Sequence, residues 1–252
     1  MKKIVAIVLA AMLVLSCAGC GGQSRVDIKS AQSLADLKGA KIAAQAGTFH
    51  ADALTQIENV QSSTYPDFTD LLTALKSGAI DGYVAEEPTA LSVTKSDSSL
   101  TYIPLKNNDT GFKATAADVG IAIGLKKGSD LTAKIDEILA TITEEQKAQL
   151  MDQIVTLANG GTVDKFALES ETPASTTGTL KVGMECAYEP YNWTELKSGT
   201  LGEVAISSEG KENQFANGYD VQVARYVANK LGLKLEIYAM EWDSLLPAVQ
   251  SG

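Results

Sequence analysis

Apolar and polar positions change period several times along the chain. "KIAAQAG" is a short apolar run broken by Gly47, the pattern of a buried strand and its turn, and Thr48 stands where a helix N-cap belongs. Residues 67–78, "DFTDLLTALKSG", set Phe68, Leu71, Leu72 and Leu75 on one face of a short helix that Gly78 closes. "AIDGYVA" reads as a strand, and "EEPTALSV" starts a helix with Pro88 in its first turn. "LTYIPL" and "DVGIAIGLKKG" read as two further strands. This alternation predicts an α/β unit with a mostly parallel sheet.

Two helices follow. "SDLTAKIDEILATI" is capped at Ser129 and carries Leu131, Ile135, Ile138, Leu139 and Ile142 as one stripe. "TEEQKAQLMDQIVTL" opens with Thr143-x-x-Gln146, the pattern of a capping box. Residues 159–179 read as a linker, its end "LESETPASTTGT" rich in Ser, Thr and Pro. Beyond it the chain starts again. "TLKVGMECAYEPYNWT" is a strand running into an aromatic loop. "GYDVQVARYVANKLGLKLEIYAM" is a helix with Val221, Ala224, Ala228 and Leu231 inward, stopped by Gly232, then a strand. "DSLLPAVQSG" is the next helix, and it repeats the "LL…SG" phrase of residues 67–78.

Composition adds little: 45% hydrophobic and 21% charged residues in 252 suit a globular protein with a sizeable core. A formal charge of −10 without a basic run argues against a nucleic-acid partner. The N-terminus says more. "MKK", the apolar "IVAIVLAAMLVLS" and the small residues of "CAGCGG" predict a secretory signal over 1–20, too short to span a bilayer. "AGC" before "GGQS" resembles a bacterial lipobox, which implies lipidation of Cys20, with Cys17 as the alternative acceptor, and a tether over 21–32. With two of three cysteines in that segment, Cys186 has no disulfide partner and is expected as a buried thiol. One histidine, His50, leaves no Cys–His pair in prospect. No cluster at metal-ligand spacing is present, so neither metal nor cofactor is expected.

"TLKVGMECAYEPYNW", "GYDVQVARYVANKLG" and "EWDSLLPAVQSG" strongly resemble the opening of the amino-acid-binding proteins of ABC importers, solute-binding family 3. "SLADLKGAKIAAQAGT", "LLTALKSGAIDGYVAEEP" and "VGIAIGLKKGSDL" are similar to that family's second half, so the resemblance covers about residues 28 to 252. It implies a two-lobed α/β fold, the type II periplasmic-binding-protein fold. The order is inverted relative to the family, which implies segments in permuted order with part of one lobe missing, by circular permutation or truncation. One lobe is expected over 33–103. Residues 104–158 supply the returning strand and helices of the other lobe, and 180–252 its incomplete N-terminal part.

The resemblance also implies a ligand site. Gly47 and Thr48 match the family's carboxylate-binding turn, Glu86 the acid that receives the ligand's ammonium, and Tyr188 and Trp242 the aromatic walls. Glu185 matches a side-chain selectivity position, where an acid favours a basic or amide ligand. For Tyr191 and Trp193 core packing is expected. The family's T-x-E-R arginine has no counterpart: Arg25 lies in the tether and Arg225 on the helix after "GYD". The function implied is capture of a polar amino acid on the extracytoplasmic face of the cell membrane, through the lipid anchor, and delivery to the transporter permease without chemistry on the ligand. Two alternatives stand beside it: a non-binding fragment or sensor-like module, and a lyase of the cyclohexadienyl-dehydratase type.

Overall fold

The computed structural model describes residues 26–115, 117–169 and 171–252; the expected signal segment, Cys17 and Cys20 lie outside the described residues. The strand β1 (Lys41–Gln45) is buried from Ile42 to Gln45, because apolar side chains cover both of its faces. The helix α1 (Phe49–Ala53) carries the chain to β2 (Gln61–Tyr65), and α2 (Phe68–Ser77) carries it to β3 (Gly82–Tyr83). The three strands pair in the order β2–β1–β3, all parallel. Parallel neighbours need such crossovers, since a tight turn would reverse the strand. Asp67 caps α2 by accepting from the Asp70 N–H, and Gly78 ends it in the left-handed region. Helix α3 (Glu87–Ser96) follows with Pro88 in its first turn.

Several sequence expectations are corrected here. Residues 26–31 are more than a tether: Val26 and Ile28 pack on the β1 cluster and Ala31 is buried. "LTYIPL" forms no strand, yet Ile103, Leu105 and Phe112 pack on the same cluster. Irregular backbone holds them there, fixed by Leu34 N–H on Thr110 O and by the Gln56 side chain, which bonds both the N–H and the C=O of Lys113. "VGIAIGLKKG" forms no strand either, and Val119, Ile121 and Ile123 face solvent at 56%, 60% and 42% exposure. Alternation and β-branching suit a strand, but a ladder needs a neighbouring edge, and none is paired with this segment.

The second part opens with α4 (Leu131–Leu139) and α5 (Glu144–Ala158). Thr143 and Gln146 form the capping box of α5; before α4 the flanking residue is Asp130, which makes no side-chain cap bond, and Ser129 Oγ accepts the Leu131 N–H at 3.3 Å. Next come β4 (Thr179–Met184), β5 (Ala187–Tyr188), β6 (Asn192–Glu195), β7 (Val204–Ala205) and β8 (Phe215–Asn217). They are followed by α6 (Tyr219–Leu231), β9 (Lys234–Ala239) and α7 (Trp242–Ser251). β4 and β9 pair in parallel from Thr179 opposite Lys234 to Met184 opposite Ala239. The aromatic loop departs from a mostly parallel plan: it supplies β5 and β6 of a four-stranded antiparallel sheet, β5–β6–β8–β7.

Helices α4 and α5 pack on α6. Ile135 meets Leu180, Val227 and Ala228, while Leu150 and Ile154 join Tyr226. The expected linker contributes to that core, since Phe166 and Leu168 are buried within it. Two apolar residues suffice to fold a polar stretch onto a helix face. No helix among the described residues is long and apolar enough to cross a membrane.

Ile237 sits at the centre of the second unit, fully buried in β9 against Met184, Ile206 and Val221. Replacing it by alanine should destabilise the fold by about 2–5 kcal/mol, read as a lower denaturation midpoint at an unchanged slope.

Candidate functional site

Gln45 ends β1, and Gly47 and Thr48 form the turn after it. Glu86 follows β3 as the N-cap residue of α3. Glu185 follows β4, and Trp242 opens α7 after β9. Every one of these positions lies past the C-terminal end of a parallel strand, and parallel pairing brings such ends to one edge of a sheet. The two edges meet. Gln45 Nε2 donates to Glu185 Oε1 at 2.8 Å and to Pro66 O at 3.0 Å. The Phe68 ring stacks on Tyr188 at 4.2 Å between centroids. Ser92 Oγ donates to Glu189 Oε1, tying α3 to the loop after β5. Gly47 has φ 69°, and a Cβ there would stand 3.3 Å from Asp243 Oδ1 and 3.5 Å from Trp242 Nε1, so glycine suits both the turn and the close approach of α7.

The structure therefore brings Gly47, Thr48, Glu86, Tyr188, Trp242 and Glu185 to the two facing edges. Their states differ. The Thr48 hydroxyl donates to Gln45 O at 2.7 Å and accepts from Ala51 N–H at 3.4 Å, an N-cap on a five-residue helix. Glu86 Oε1 lies 3.4 Å from His50 Nε2, while Glu86 Oε2 and His50 Nδ1 are enclosed without a partner among the described residues. Glu87 beside it is exposed. Glu185 Oε2 and the Tyr188 hydroxyl are likewise enclosed and unpartnered. Trp242 stays 38% exposed at the rim. Tyr191 is buried, and Trp193 packs on the α5–α6 core, as expected. Cys186 is a buried free thiol, its pKa pushed up to about 12 by burial. Arg225 donates to Gln222 Oε1 and lines a cavity of about 380 Å³ with Lys165 and Phe166, which none of the candidate site residues lines.

Burial governs the electrostatics. It pushes Glu86 up to about 7, opposed by the residue's own backbone N–H and aided to a smaller extent by Asp220. Glu185 is likewise raised to about 7 by burial, opposed by the Gln45 bond and aided by Asp67 and Glu241. Burial also raises Glu189, takes Asp220 to about 6 and pulls His50 down to about 4. A buried carboxyl in such a place resists ionisation until a cation arrives.

Sequence reasoning missed several members of this arrangement. Gln45 was legible as the polar residue that closes an apolar strand, with no sign of its partner 140 positions away. Asp220 stands in the first turn of α6 but is no cap. It is half-buried and accepts from Asn192 Nδ2 at 2.8 Å, and Asn192 Oδ1 in turn accepts the Cys186 N–H. Gly218 makes the turn before it, where a Cβ would strike Tyr191 O at 2.3 Å.

Residues 196–252 match the family model for bacterial extracellular solute-binding proteins, family 3. That segment is similar to the family 3 solute-binding proteins. Similar proteins include the L-cystine-binding protein TcyA of Bacillus subtilis, 32% identical over 74 residues, which are 29% of this chain and 22% of that protein. Another is a probable amino-acid ABC transporter-binding protein of Haemophilus influenzae, 39% identical over 69 residues, 27% of this chain and 21% of that protein. The chain thus spans about a fifth of the length of these curated relatives. Of the candidate residues, Trp242 lies in the family 3 segment matched by the model, and Gly47, Thr48, Glu86, Glu185 and Tyr188 lie before it.

Glu185→Gln tests the electrostatics. The folded pKa of about 7 lies above the ordinary value of 4.5, so the stability tied to the neutral carboxyl is complete below pH 4.5 and is lost as pH rises through 7. Glutamine keeps an acceptor oxygen for Gln45 Nε2 and never ionises. Melting temperatures should show the variant gaining on the wild type between pH 4.5 and 8; a constant difference would refute the assignment.

Proposed function

We propose that this chain binds a polar amino acid on the extracytoplasmic face of the cell membrane, held there by lipid on Cys20, and presents it to the permease of an ABC importer. The fold proposed is the two-lobed type II periplasmic-binding plan, its segments in permuted order. The observation that carries the reading is Glu86: a carboxyl at the meeting of two units, with one oxygen enclosed and unpartnered and no lysine or arginine bonded to it among the described residues. A ligand ammonium satisfies that oxygen and lets the acid ionise, a charge-assisted bond of the stronger kind. Tyr188 and Trp242 supply apolar walls, and Glu185 a second acceptor suited to an amide or basic side chain. The Gly47–Thr48 turn is the place for the ligand's carboxylate, where the T-x-E-R arginine of the family has no counterpart. Closure of the two units over the ligand is the whole mechanism; no bond in the ligand is made or broken.

The relatives agree in kind, one named for L-cystine and the other for amino acids. A thermal-shift screen of the purified protein against the common L-amino acids and L-cystine tests the reading. A ligand at a hundred times its Kd adds about 2.7 kcal/mol, several degrees in a domain of this size. A shift with a few polar amino acids, lost in Glu86→Gln, is the expected result. A cooperative melt that no amino acid moves would overturn it in favour of a folded module without a ligand.

A further inference from the structure

His50 is the single histidine of the chain. The helix α1 places it two residues after Thr48, and its side chain is 12% exposed. Its Nε2 lies 3.4 Å from Glu86 Oε1, and the far atom of each group, His50 Nδ1 and Glu86 Oε2, is enclosed without a partner among the described residues. The pair is thus a unit with one contact inside and an unused polar atom at either end. The backbone N–H of Glu86 itself favours the carboxylate, and the other groups that act on the pair are acidic or phenolic. Asp220, in the first turn of α6, repels a charge on Glu86, and Glu86 in turn raises the Tyr191 phenol from the loop between β5 and β6. Phe49 covers the imidazole from the side, its ring centroid 5.9 Å away.

The Glu86 side chain is 36% exposed, and a carboxylate partly withdrawn from water beside a second acid holds its proton more tightly or pairs with a cation. The geometry points to a proton-for-cation exchange at the His50–Glu86 pair: a cationic nitrogen that docks on Glu86 replaces the proton the pair holds in the ligand-free protein, and that proton leaves for solvent. The step balances, since a neutral carboxyl and an ammonium become a carboxylate–ammonium pair and one released proton. His50 is a positioning residue in this scheme, holding Oε1 so that Oε2 is left for the ligand. The inference rests on the amino-acid-binding reading above for the identity of the nitrogen, while the coupling of the two side chains stands apart from it.

Burial sets the expected pH range: Glu86 titrates at about 7 and His50 at about 4. Below pH 7 a ligand must displace a proton, and above it the carboxylate is already free. Apparent affinity should therefore fall about tenfold from pH 8 to pH 6, one decade for the pH unit below the pKa.

A single histidine gives one set of imidazole resonances in the untagged chain, so a proton–carbon NMR titration reads the pair directly. The ligand-free protein should show the His50 ring titrating well below 6.5, with a second, smaller inflection near pH 7 that reports Glu86. Glu86→Gln should remove that inflection and keep the low one, and Glu86→Asp should move it. A lone transition near 6.5, or an inflection near 7 unchanged in Glu86→Gln, would overturn the coupling whether or not any ligand binds. The same titration is repeated with the common L-amino acids and L-cystine present. Loss of the inflection with the amino acids that shift the melt is the expected outcome. If they bind and the inflection persists, the exchange alone is overturned. If none binds, the exchange and the ligand reading fall together while the pair's coupling stands.

Discussion

Parallel pairing is the constraint on which the rest of this structure depends. A strand whose neighbour runs the same way must hand the chain to a crossover, and the handover loop emerges at the same edge each time. In the first unit that edge receives the turn after Gln45 and the entry to α3 at Glu86; in the second it receives Glu185 and the entry to α7 at Trp242. Polar side chains gather there because the strand interiors are committed to apolar packing, as in β1 from Ile42 to Ala44. When two such edges meet, carboxyls that would each be harmless in water enclose one another.

That enclosure explains why basic partners are scarce and amide partners common. Glu185 is met by Gln45, Asp220 by Asn192 and Glu189 by Ser92. Neutral donors stabilise a carboxyl in either protonation state, so each acid is held in position without its charge being fixed. A lysine in any of these places would lock the acid ionised and would compete with any cation from outside. The arrangement keeps the edges polar yet open to a change of charge.

Local features were legible in the sequence. The left-handed ends at Gly78 and Gly232, the capping box at Thr143, the Thr48 cap and the apolar face of α6 all follow from short-range rules, and all are present. What failed was pairing. Residues 119–125 have the alternation of a strand and form none, while the aromatic loop, read as a loop, forms two strands of an antiparallel sheet. Strand formation is decided by what lies alongside, which a single stretch of sequence does not contain. The same holds for the candidate site. Each residue type could be noted in place, but the partnership of Gln45 with Glu185 is a property of how two units meet, as is that of Phe68 with Tyr188.

The open stretch at Val119, Ile121 and Ile123 has a consequence for behaviour at high concentration. Were the stretch to extend, its apolar side chains would fall on one side, and its interval is nearly symmetric about Ala122, with Gly120 and Gly124 flanking the centre. Two copies laid antiparallel would set like against like, which makes it a natural template for edge-to-edge association. An acidic surface keeps molecules apart at long range, and salt shortens that reach to about 10 Å at 0.1 M. Added salt should therefore be what brings this short stretch into play.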